Sequence, residues 1–177
     1  MYGMIHRGLR QMVIETRGQE AWDAIEASVS TGPEHLISAN CYDDQLTISI
    51  IEQVAARLGQ SINEFLQDFG RYWILFAAIG AYGTMMDFAG RDLPDFIRNL
   101  NRMHRALQDV MPEAQMPSFS LIEETGGKLL VEYRSTRSGL EPFVTGLLEG
   151  LLLRFDNVGS VQQIDHHDGN SRFEIMF

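Results

Sequence analysis

Tyr133, Ser135 and Arg137 stand two residues apart in the stretch LLVEYRSTRSGLEP, residues 129–142. The stretch reads as a strand that runs into a turn. Alternate side chains of a strand share a face, so the spacing predicts two hydroxyls and a guanidinium in one row. A guanidinium can clamp a carboxylate or phosphate through two parallel hydrogen bonds. The hydroxyls would donate to the same oxygens. A solvated strand face would show the same spacing. The row suits a ligand with adjacent acid groups.

Upstream, in NLNRMHRALQDVM, the residues Ile97, Leu100, His104, Leu107 and Met111 fall on one helical face. His104 lies inside that apolar stripe. It is either a core histidine bonded to a backbone carbonyl or an axial ligand to a buried metal or haem. Spacing leaves both open. Haem would use both features, because it carries two propionates on one edge and an iron at its centre.

Other candidates carry less. In DHHDG, Asp165 to Gly169, a strand would turn His166 and His167 to opposite faces, so a hairpin end is the better reading. Cys41 precedes a predicted helix without a supporting motif. His6 and His35 read as surface residues. Phe65, Phe69, Trp73 and Phe76 form an aromatic stripe suited to core. No nucleophile elbow, phosphate-binding glycine loop or catalytic dyad is present.

The elements that must position these residues follow from punctuation and periodicity. Met1, Met4, Ile5, Leu9, Met12 and Val13 keep helical spacing, and EAWDAIEASV suggests a second helix. Asp43 is an N-cap candidate for a helix ending at Gly59. Ser61 and Glu64 form a capping box that opens a long apolar helix. Asp92, with Pro94 just inside, opens the helix of His104, which lasts to about Met111. SFSLIEE and KLLVEYRS flank TGG as a hairpin, GLEPFVTGLLEGLLLRF reads as a helix, and VGSVQQIDHH and SRFEIMF flank DGN as a second hairpin. Helices first and antiparallel strands after predict an α+β fold.

The chain has 177 residues, 45% hydrophobic and 21% charged, enough for one domain with a sizeable core. A net charge of -10 argues against a nucleic-acid or anionic-membrane binder. A single cysteine excludes an intrachain disulfide and fits a reducing, cytoplasmic setting. The N-terminus lacks the continuous apolar core of a secretory signal. The longest uncharged run, Tyr72 to Met86, is too short for the roughly 20 residues of a membrane span. It reads as a buried helix.

Taken in order, MYGMI, FGRYW, MHRAL, MPSF, YRSTR and GLLEGLL cover nearly the whole chain. In these segments the chain resembles the H-NOX family, the haem–nitric oxide/oxygen binding domains related to the haem domain of soluble guanylate cyclase. The resemblance implies a single domain over residues 1–177. A distal helical part would take about 1–65 and a proximal haem-binding part about 66–177, with haem b buried between helices and sheet. It implies His104 as the iron ligand and Tyr133, Ser135 and Arg137 as the propionate clamp. Pro117 would press on the porphyrin, and Ile5, Trp73, Phe143 and Leu147 would border the distal pocket. Oxygen-binding members place a tyrosine over the iron where this chain has Pro142 and Phe143. NO is therefore the expected ligand, with oxygen disfavoured and CO possible. Trp73 and Tyr82 are the candidates for a substitute donor. The resemblance further implies a sensor, and the lack of a catalytic constellation fits one without enzymatic activity; the chain stops at Phe177 without an output domain. Its partner would be a separate sensor histidine kinase or cyclic-di-GMP enzyme. An oxygen-sensing or redox haem protein, or a carrier of a carboxylate-bearing apolar ligand, remains the alternative.

Overall fold

The computed structural model describes residues 1–29, 33–79, 82–167 and 170–177. The N-terminal half is helical. α1 (Gly3–Arg17) and α2 (Gln19–Ser28) are joined through a 3-10 turn (Pro33–Leu36) to α3 (Asp44–Leu58) and α4 (Ile62–Ile79). Local chemistry sets the boundaries. Asp43 accepts from the Gln45 N–H at the start of α3, and Gly59 closes it in the left-handed conformation at φ 69°. Ser61 and Glu64 bond reciprocally at the start of α4. α5 (Gly83–Ala89) and α6 (Leu93–Val110) follow, the latter capped by Asp92, which accepts from the Asp95 N–H at 2.9 Å.

β1 (Ser118–Thr125) and β2 (Lys128–Arg134) form a hairpin around Gly126 and Gly127, both with positive φ. α7 (Glu141–Arg154) crosses to the second hairpin, β3 (Ser160–His167) and β4 (Asn170–Met176). The sheet order is β1-β2-β4-β3, all antiparallel. The fold is α+β, as the order of elements predicted.

Two apolar cores flank the site. Leu9, Val13, Trp22, Ile25, Ile50, Val54, Phe65 and Phe69 pack together where α1 to α4 meet. Phe96, Ile97, Leu100, Phe119, Val131, Leu148 and Phe173 pack between α6, α7 and the inner sheet face. Burying each large side chain contributes roughly 1.5–3 kcal/mol. Trp73 and Tyr2 touch both cores. α4 and α7 cross at glycines. A Cβ on Gly70 would stand 2.2 Å from the Phe143 carbonyl oxygen, and one on Gly146 would stand 2.0 Å from that of Gln67.

Three expectations are corrected. Tyr72–Met86 is not one buried helix: α4 ends at Ile79 and α5 begins at Gly83. Ile79 is 89% and Leu75 53% exposed. Gly83 lies against Ala78, whose carbonyl oxygen a Cβ on Gly83 would meet at 2.2 Å. β2 ends at Arg134, so strand alternation does not extend to Ser135 and Arg137. His6 and His35 are not on the surface but 0% and 2% exposed. The DGN turn falls at Asp168 and Gly169, outside the described residues, as do the side chains of His166 and His167.

Candidate functional site

His104 is delivered by α6 and fixed by the chain entering β1. Its Nδ1–H donates to the Pro117 carbonyl oxygen at 2.9 Å. A carbonyl only accepts, so the lone pair sits on Nε2, which makes no hydrogen bond among the described residues. Burial lowers the imidazole pKa below its usual value, against a smaller opposing effect of the Pro117 carbonyl. The ring is thus neutral at pH 7 and can donate a lone pair. Asn101, one turn earlier, explains the placement. Its Nδ2 donates to the Phe119 carbonyl at 2.6 Å and its Oδ1 accepts from the Phe119 N–H at 2.8 Å. Sequence reasoning missed Asn101; its i,i+3 spacing to His104 on one helix face was the available signal.

The ring borders a cavity of about 1150 Å³, its open mouth included. His104, Tyr133, Ser135, Arg137, Pro117, Ile5, Trp73, Phe143 and Leu147 all line it. Tyr133 points inward from β2 and is 3% exposed. Its hydroxyl is hydrogen-bonded with Ser135, and burial raises its pKa against that bond. Ser135 Oγ accepts from the Arg137 N–H at 3.0 Å. The loop after β2, rather than strand pleating, therefore completes the row. Arg134 points elsewhere, with its side chain 60% exposed and paired to Glu132.

Arg137 is already engaged. Its Nε and Nη2 donate to Asp44 at 2.7 and 3.3 Å, and its Nη1 donates to the Gln115 carbonyl at 2.9 Å. Each terminal nitrogen keeps one further N–H for an anion. Asp44 also takes the terminal ammonium of Met1. Burial pushes the Asp44 pKa up, but the bonds from Arg137 and Met1 outweigh it and leave it below the usual carboxylate value.

Tyr2 and Tyr82 line the same cavity and were not assigned to a ligand site by spacing. Both pack beside Leu107 and Met116, near the helix of His104. Burial, then Tyr82, pushes the Tyr2 hydroxyl up to about 12, so it stays protonated. Trp73 instead joins α4 neighbours, its ring 6.0 Å from Phe69 and 5.6 Å from Phe76. Its indole N–H makes no hydrogen bond among the described residues. Cys41 lies outside this cavity, bridged to Tyr2 through the backbone.

These residues fit haem. Among the described residues no group of three or more His, Cys, Asp or Glu gathers to hold a bare ion. A metal carried inside a macrocycle needs fewer protein ligands, and one neutral imidazole has its lone pair free. The walls are mainly apolar, and Tyr133, Ser135 and Arg137 supply donors for acidic groups.

A mainly apolar cavity with one free imidazole and a polar rim defines a cofactor-binding module. The chain belongs to the Haem-NO-binding family, HNOB, whose sequence profile matches residues 2–163. Soluble guanylate cyclase gcy-35 of Caenorhabditis elegans is 28% identical over 93% of this chain and 24% of its own length. Soluble guanylate cyclase 89Da of Drosophila melanogaster is 24% identical over 88% and 23%. An H-NOX protein from S. oneidensis in the Fe(II)NO state superposes with a TM-score of 0.84 at 20% identity, covering 99% of this chain and 98% of that one. An unliganded Fe(II) H-NOX protein from K. algicida gives 0.80 at 20% identity, covering 99% and 96%. At that identity the structures establish the fold. The chain spans about a quarter of the length of these guanylate cyclases, and no enzymatic activity comes to it through the match. It is a haem-binding sensor module. Among the described residues no helix is long and apolar enough to cross a membrane.

Proposed function

We propose that this chain is a cytoplasmic haem-based nitric oxide sensor that regulates a separate signalling partner. The observation that carries the reading is the His104 lone pair bordering a largely apolar cavity, with its tautomer set by Pro117. Haem held there would supply an iron centre able to take up NO. The residues of the chain do the rest. His104 tethers α6, and Tyr133, Ser135 and Arg137 hold the acidic edge. Pro117 and Ile5 line the cavity and would bear on the porphyrin. A sensor needs two states whose balance the gas shifts, and His104, carried on α6, would link the cofactor to that helix. The division near residue 65 into distal and proximal parts belongs to this reading. Pro142 and Phe143, where oxygen-binding members place a tyrosine, offer bound oxygen no hydrogen-bond donor, which favours NO, with CO a second ligand; Trp73 and Tyr82, which also line the cavity, are the candidates for a substitute donor. Family resemblance supports a sensor histidine kinase or a cyclic-di-GMP enzyme as partner.

Absorption spectra of the reduced protein with and without NO test the proposal. A Soret band that shifts with NO is expected. A colourless protein would favour a carboxylate carrier, peroxide turnover a redox haem protein, and a stable oxy complex in air would overturn the gas assignment. Replacing Pro117→Ala is expected to flatten the porphyrin, as a crystal structure of the loaded variant would reveal.

A further inference from the structure

Behind the cavity wall lies a buried polar cluster that the haem reading does not use. The first turn of α1 carries Met4 and Ile5 into the cavity lining. His6, next in sequence, points into the protein and is fully buried. Its Nδ1–H donates to the His35 carbonyl oxygen at 3.0 Å, and the Thr47 hydroxyl donates to its Nε2 at 2.7 Å. His35 Nε2 donates to Glu26 at 3.0 Å, and its Nδ1 faces His6 Nδ1 at 3.4 Å. One imidazole therefore ties together α1, the 3-10 turn and α3, and reaches α2 through His35. Backbone bonds run alongside, from the Gly3 N–H to Asn40 at 2.9 Å and from the Met4 N–H to Ser38 at 3.2 Å. Gly3 permits this approach, because a Cβ there would stand 2.2 Å from the Ile37 carbonyl oxygen.

We propose that His6 is a positioning residue for the cofactor site: the His6–His35–Thr47 latch holds the first turn of α1 so that Ile5 and Met4 keep their places in the cavity wall. The inference rests on the haem reading for its consequence, while the latch itself stands on the contacts above. The ionisable groups facing His6 are His35 from the 3-10 turn, Glu26 of α2 through His35, Tyr42 with ring centroids 5.5 Å apart, and the terminal ammonium of Met1. From α3 comes the neutral Thr47. All the bonds are satisfied by neutral imidazoles. A proton on His6 would place a cation in the buried cluster beside His35. Burial, with smaller effects of the neighbouring His35 ring and the Met1 ammonium, lowers its pKa to about 4 against the bond to the His35 carbonyl.

The test uses the haem-loaded chain with His6→Leu and His6→Gln. Glutamine can keep both hydrogen bonds without titrating; leucine keeps neither. Porphyrin out-of-plane bands in resonance Raman spectra of the ferrous protein are followed from pH 7 down to about 4.5, with the Ile5 methyl resonance as a second readout. His6→Leu is expected to shift the bands at every pH and to speed haem loss about tenfold, from the loss of two hydrogen bonds. His6→Gln should keep the bands at pH 7 and lose the acid-dependent part of their shift. A folded His6→Leu with unaltered bands and Ile5 signal would overturn the proposal. If His6→Leu does not fold, the comparison of wild type with His6→Gln decides: identical pH profiles overturn it. A wild-type protein without a Soret band would defeat the haem reading instead, and the Ile5 methyl resonance would still decide the latch.

Discussion

The Arg137 side chain ties the loop after β2 to two distant parts of the chain, because Asp44 and the Gln115 carbonyl both accept from its guanidinium. Its Asp44 partner is 40% exposed at the side chain, so the pair is worth little as a bare surface ion pair. Its use is orientation: two donors are fixed on Asp44 and the remaining N–H groups are aimed. Replacing Arg137→Ala is expected to speed haem loss well beyond the effect of Arg134→Ala, measured by transfer of haem to an excess of acceptor globin. Equal rates would remove Arg137 from the clamp. At His104 the expected outcome of His104→Gly is a protein without histidine-type spectra that recovers them in added imidazole. Failure of that rescue, in a variant with native far-ultraviolet circular dichroism, would reject His104 as the ligand.

Among the elements, α4 and α7 set the width of the cavity, because α4 carries Trp73 and α7 carries Phe143 and Leu147. Their glycines let the backbones touch. Gly70→Ala and Gly146→Ala each place a methyl group within 2.2 and 2.0 Å of a carbonyl oxygen, so the helices must part. Each substitution is expected to cost about 2–4 kcal/mol in urea unfolding, in the range of overpacking and strain. It should also alter the haem spectrum through Phe143 and Leu147. Gly59→Ala makes a contrasting control. That residue caps α3 at φ 69° with open space around it, so only backbone strain of about 1 kcal/mol is expected and the spectrum should not change.

For the whole molecule, the buried His6 makes stability depend on pH. Its folded pKa of about 4 lies below the value of 6.5 it has when unfolded. The unfolded chain therefore binds the proton more readily. The contribution is complete above pH 6.5 and is lost as pH falls toward 4, amounting to about 3 kcal/mol. His104, also lowered, adds in the same direction in the haem-free chain. Denaturant midpoints of the haem-free protein are expected to fall between pH 7 and 4.5, and the slope should shrink in His6→Gln. A slope unchanged by that substitution would mean that His6 is not the titrating group.

Local chemistry alone determined much of this protein. Asp43, Ser61 with Glu64, and Asp92 cap their own helices, and Gly126 and Gly127 turn their own hairpin, since such bonds span only a few residues. The stripe that carries His104 was equally legible, because helical periodicity is written in the residues themselves. Tertiary structure decided what depends on distant partners. The Nδ1 of His104 needs Pro117, thirteen residues on, to fix which nitrogen keeps the lone pair. Ser135 and Arg137 reach Tyr133 through a loop held from α3, ninety-three residues away in sequence, and not through strand pleating. His6 looks like a surface residue in a list of neighbours. It is buried because His35 and Thr47, from two other elements, satisfy both of its ring nitrogens.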